Sequence, residues 1–153
     1  MAVAITSYED VQSVLNAFYQ TAGVSPATAP HHIFWQSLTY EQFVTGDVPN
    51  VGKEYGGPYK ILVKGNSAAS NIINALEGTP GGPFDPTTGI VGQMPQPNPP
   101  YQAAVPPQSD LIAGLKGWID KGCPQFAPTG ARATAKPKPL VKPKVKPRAK
   151  LKG

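Results

Sequence analysis

"SDLIAGLKGWIDKG", residues 109–122, sets the class of the whole chain. Leu111, Ile112, Leu115, Trp118 and Ile119 recur at helical spacing and make one apolar stripe, which predicts a buried face on an α-helix. Ser109 is placed to cap it, Asp110 suits the positive end of the helix dipole, and Gly122 offers a left-handed stop. The same grammar recurs upstream. Ser7, with Asp10 three residues on, opens a helix over about Tyr8–Ala22 whose inner face is Val11, Val14, Leu15 and Phe18, and Gly23 ends it. "LTYEQFVTG" (38–46) reads as a short helix with a Thr39/Gln42 capping box closed by Gly46. "NSAASNIINALEG" (66–78) reads as another, capped by Asn66 and ended by Gly78, with Ala69, Ile72, Ile73 and Leu76 facing inward. "ILVKG" (61–65) has the composition of a strand but no evident partner. Between these pieces, residues 47–60 and 79–107 are rich in proline and glycine and read as loop. The expected fold is mainly α, with three to four short helices and long Pro/Gly-rich loops.

The totals agree. Of 153 residues, 40% are hydrophobic and 15% charged, while 19 prolines and 16 glycines commit much of the chain to loops. No apolar run is long enough to span a bilayer. The start, "MAVAITSYED", lacks a basic region followed by an apolar run, so no secretory signal is expected and the cytoplasm is the default location. A single cysteine, Cys123, forms no internal disulfide.

The net charge of +5 averages two unlike regions. Residues 131–153 carry nine basic residues and no acidic one: Arg132, Lys136, Lys138, Lys142, Lys144, Lys146, Arg148, Lys150 and Lys152. Of the fourteen basic residues that leaves five, against nine acidic ones, in 1–130. The division expected is a helical body over 1–127 and a Lys/Pro-rich tail over 128–153. The tail is expected to be disordered, stiffened by proline and extended by self-repulsion. Its cations suit any anionic partner: nucleic acid, an acidic protein or a membrane surface.

Three pieces in order carry a resemblance. "YKILVKGNSAASNIINALEG" (59–78), "QMPQPNPP" (93–100) and "PQSDLIAGLKGWIDKGCP" (107–124) resemble the turn-and-helix, methionine loop and closing helix of small bacterial cytochrome c domains of the planctomycete type. "YEDVQSVLNAF" (8–18) stands where that family has its opening helix. The resemblance implies a cytochrome c-like arrangement and an axial role for Met94. It also implies a C-x-x-C-H motif after the first helix, yet "LNAFYQTAGVSPATAPHH" (15–32) has no cysteine, so covalent haem attachment is excluded by residue identity. A haem-free body is the expectation. The alternative is haem held non-covalently through His31 or His32 and Met94, giving an electron-transfer protein. A small accessory subunit of an enzyme is the third reading.

Nothing points to independent catalysis. There is no HExxH or CxxC, "YGGP" and "TPGGP" read as turns rather than phosphate cradles, and Cys123 follows a helix end, away from the helix-start setting that activates thiols. Metal sites of the zinc or calcium kind are unsupported. The densest aromatic patch, Phe34, Trp35, Tyr40 and Phe43, is expected in the core, or at a protein interface should it be exposed. The function expected is that of a non-catalytic binding or structural protein whose basic tail tethers it to an anionic partner or assembly.

Overall fold

The computed structural model describes residues 3–24, 31–96 and 98–127. The predicted disorder of the 128–153 tail therefore lies outside the described residues. Among the described residues there are five α-helices: α1 (Tyr8–Ala22), α2 (Phe34–Ser37), α3 (Tyr40–Thr45), α4 (Asn71–Glu77) and α5 (Gln108–Asp120). No strand is found among the described residues, and no helix there is long and apolar enough to cross a membrane.

Helix α1 starts where its caps dictate. Ser7 accepts the Asp10 amide at 3.1 Å, while Asp10 reaches back to the Thr6 amide and hydroxyl, both at 2.9 Å. Gly23 ends the helix at φ 74, where a side chain would be strained. α3 carries the full Thr39/Gln42 capping box. α5 packs against α1 and α4, and the stripe Leu111, Leu115, Trp118 and Ile119 is buried together with Val11, Leu15 and Phe18 of α1. Burying each such side chain contributes about 1.5–3 kcal/mol, which far exceeds what helices this short gain on their own.

Three expectations are corrected. α2 was not foreseen, which makes five helices rather than three to four. The Asn66–Gly78 helix is broken: Asn66 caps only a 3₁₀ turn, Ser67–Ala69, and α4 begins after Ser70. The Ser70 backbone is extended, at φ −88 and ψ 124, and its hydroxyl accepts the Val63 amide at 2.9 Å while donating to the Asn66 carbonyl at 2.8 Å. Ala69 is accordingly exposed rather than inward. "ILVKG" stays without a partner strand, as expected: Val63 makes one isolated bridge, to Asn66, Lys60 just before the segment makes another, to Asp47, and Ile61 and Leu62 are buried. Ser109 sits inside α5, whose N-cap is Pro107, and the Gln102 side chain takes the Ser109 amide at 3.0 Å in place of a cap.

The proline-rich segment from 79 to 107 holds its shape through local bonds. Asp85 accepts the amides of Gly81, Thr87 and Thr88 at 2.9, 2.7 and 3.1 Å, and these bonds, that of Gly81 foremost, hold its carboxyl below the usual range. Val91 and Gly92 both donate to the Pro83 carbonyl. Asp120, at the end of α5, binds the Ser67 amide at 2.8 Å and its hydroxyl at 3.0 Å, tying the 3₁₀ turn to α5.

Candidate functional site

The short helix α2 is held by polar groups of α1. Tyr8, Gln12 and Asn16 lie four residues apart and share one face. Tyr8 donates to the Leu38 carbonyl at 2.8 Å and to that of Trp35 at 3.2 Å; Gln12 donates to the Trp35 carbonyl at 2.8 Å; Asn16 accepts the Trp35 indole N–H at 2.8 Å. A four-residue helix has no stability of its own, so these bonds and the burial of Phe34 and Trp35 place it. Sequence reasoning saw only the apolar face of α1. The available signal was the i, i+4, i+8 repeat of polar side chains next to that face.

Trp35 stacks on Tyr19 at 4.8 Å between ring centroids, and Phe34 stands edge-on to Trp35. Together they wall a cavity of about 440 Å³, within the range of small-molecule sites. α4 contributes Asn71, Ile72, Ala75 and Leu76 to its lining. The loops add Tyr55, Tyr59 and Ile61, then Phe84, Ile90 and Met94. No Asp, Glu, Lys or Arg lies among these lining residues. Burial also pushes the Tyr19 phenol upward, so it stays neutral. The cavity is thus built for an uncharged, largely apolar surface.

Two of the residues singled out from sequence meet here. His31 and Met94 both line this cavity, whereas His32 does not. His32 is exposed at φ 52, and its carbonyl takes the His31 Nδ1 at 2.8 Å. A carbonyl only accepts, so Nδ1 carries the proton and Nε2 holds a free lone pair. Burial, the largest effect on it, lowers the pKa of His31 and favours that neutral form. The ring is braced edge-on against Phe34 at 5.2 Å. Met94 is fixed through its peptide: its amide donates to the Ala75 carbonyl at 2.7 Å and its carbonyl accepts from Gln108 at 2.8 Å.

The aromatic patch is core. Phe34, Trp35 and Phe43 are all buried, and Phe43 packs on Tyr8, Phe34 and Trp118. Tyr40 is only partly buried and donates to the Cys123 carbonyl. These four therefore present no contiguous contact surface, and the interface considered for them is not available in this fold. Cys123 is fully buried at φ 54, and burial pushes its thiol up to about 11. The basic residues from Arg132 to Lys152, expected from sequence to bind a polyanion, lie outside the described residues. No family model, curated protein or solved structure matches this chain.

Proposed function

We propose that this chain is a non-catalytic binding protein whose helical body holds haem non-covalently in the cavity between α1, α2 and α4, and whose basic tail tethers it to a polyanion. The observation that carries the reading is that His31 and Met94, far apart in sequence, line one apolar cavity. An imidazole nitrogen and a thioether are the donor types that hold iron in electron-transfer haems. The fit extends beyond residue type. His31 has its proton parked on Nδ1 by the His32 carbonyl, the usual support for a ligating histidine, so Nε2 is the nitrogen on offer. Met94 offers a soft sulfur on a loop held at both ends of its peptide. The uncharged lining suits the flat apolar face of a large ring system.

The roles divide as follows. Haem, when bound, would supply a one-electron redox centre. Tyr19 and Trp35, already stacked on each other, present a flat aromatic wall that orients a planar ligand. Phe34 holds the His31 ring in place. The division of charge in the sequence supports the tether: nine cations without an acid in 131–153, against a net acidic remainder.

Haemin titration into the purified chain tests this reading. The expected result is a one-to-one low-spin spectrum that His31→Ala abolishes and Met94→Ala shifts. A spectrum unchanged by both variants would show that the iron is not ligated by these residues. No binding at all would remove haem as the ligand.

A further inference from the structure

Gln108 is not on the cavity wall, yet it is 0% exposed and its side chain joins two residues of that wall, Leu76 and Met94, to Tyr101 behind it. Its Nε2 donates to the Leu76 carbonyl at 2.9 Å and to the Met94 carbonyl at 2.8 Å, and its Oε1 accepts the Tyr101 amide at 2.8 Å. Only one orientation of the amide satisfies all three, because carbonyls need donors and an N–H needs an acceptor. Gln108 is also anchored through its own backbone, whose N–H donates to the Tyr101 carbonyl at 3.1 Å. The first turn of α5 therefore holds the end of α4 and the methionine loop in one register. That loop has no ladder of regular hydrogen bonds, and Met94 is clamped between Ala75 on one side and Gln108 on the other.

We infer that Gln108 is a positioning residue: it sets where the Met94 thioether stands at the cavity wall, so affinity in the cavity is governed from outside it. The inference rests on the proposed ligand-binding role for its effect on affinity, but not for its effect on Met94. Any substitution that removes the two donors takes the Gln108 bond from the Met94 carbonyl, while the Leu76 carbonyl keeps the Gln93 side-chain amide at 2.9 Å, so the cheapest relief is for the Met94 peptide to turn away. Met94 would then lose its place on the wall while the helices, held by their apolar faces, stay assembled.

The chain has only two methionines, Met1 and Met94, so ¹³C-methyl labelling of methionine gives two signals, assigned with Met94→Leu. Gln108→Leu keeps the bulk and removes every side-chain bond; Gln108→Glu keeps the acceptor for Tyr101 and, held protonated by burial beside two carbonyls, leaves one donor where there were two, which provides a second route should the first variant not fold. Both are measured well below their melting temperatures, with helicity checked by circular dichroism. The expected result is a displaced or broadened Met94 methyl signal and haemin affinity lower by roughly tenfold or more. A folded variant with lowered melting temperature but an unmoved Met94 signal would overturn the inference and leave Gln108 as core support alone. Absence of haemin binding by the unsubstituted chain would instead sink the proposed function, and the methyl signal would still decide the role of Gln108.

Discussion

Replacing Asn16 with leucine tests how the wall of the cavity is held. Asn16 is half-buried on α1 and accepts the indole N–H of Trp35, a residue only 2% exposed. Asn16→Leu leaves that N–H inside the protein with no acceptor, at a cost of about 2 kcal/mol. Leucine is the better helix former, which returns about 0.5 kcal/mol. The net loss expected is about 1.5 kcal/mol, or a melting temperature lower by about 4–8 °C for a body of this size. Urea unfolding followed by tryptophan fluorescence should show a lower midpoint at unchanged slope, since the surface exposed on unfolding is the same. Ser13→Leu, at an exposed position of the same helix, is the control and should stay within about 0.5 kcal/mol of the unsubstituted chain. Haemin affinity should fall for Asn16→Leu and not for Ser13→Leu, because α2 is held to α1 at Trp35. A stability unchanged within about 0.5 kcal/mol for Asn16→Leu would refute the argument that this bond docks α2.

Three further outcomes are expected. His31 has a folded pKa below the ordinary value of about 6.5, so the unfolded chain takes up the proton first; stability relative to His31→Gln should fall as pH drops from about 6.5 to the folded value and then level off, and a flat or rising difference in urea midpoints would contradict the burial of this ring. Cys123, with its thiol pushed up to about 11 and no exposed surface, should react with a thiol reagent at pH 8 over a hundredfold more slowly in the folded chain than in urea; equal rates would show that the segment after α5 opens freely. Deleting 131–153 should abolish retention on an anionic matrix and on duplex DNA while moving the melting temperature by no more than about 1 °C; for the full chain, the log–log salt dependence of DNA binding should be no steeper than about −8, and binding that survives the deletion would place the tether in the body.

The sequence by itself determined what depends on neighbours along the chain. The bounds of α1 follow from Ser7, Asp10 and Gly23, and those of α3 from Thr39, Gln42 and Gly46, because caps act within one turn. The apolar stripe of α5 announced its own burial. Residue identity alone showed that residues 15–32 hold no cysteine, and it showed the division of charge. Tertiary structure decided the rest. α2 is too short to carry a periodic signal and exists because Tyr8, Gln12 and Asn16 grip it. The expected third helix breaks at Ser70, where the backbone turns extended and the hydroxyl takes the Val63 amide from outside the helix. Nothing local separates His31 from His32; the turn that exposes one and lends its carbonyl to the other does. Gln108 looked like the residue before a helix cap, and its three bonds reach partners 7, 14 and 32 positions away. A cavity is a property of surfaces brought together from across the chain, so its walls are fixed only when distant segments pack, and no single stretch of sequence encodes it.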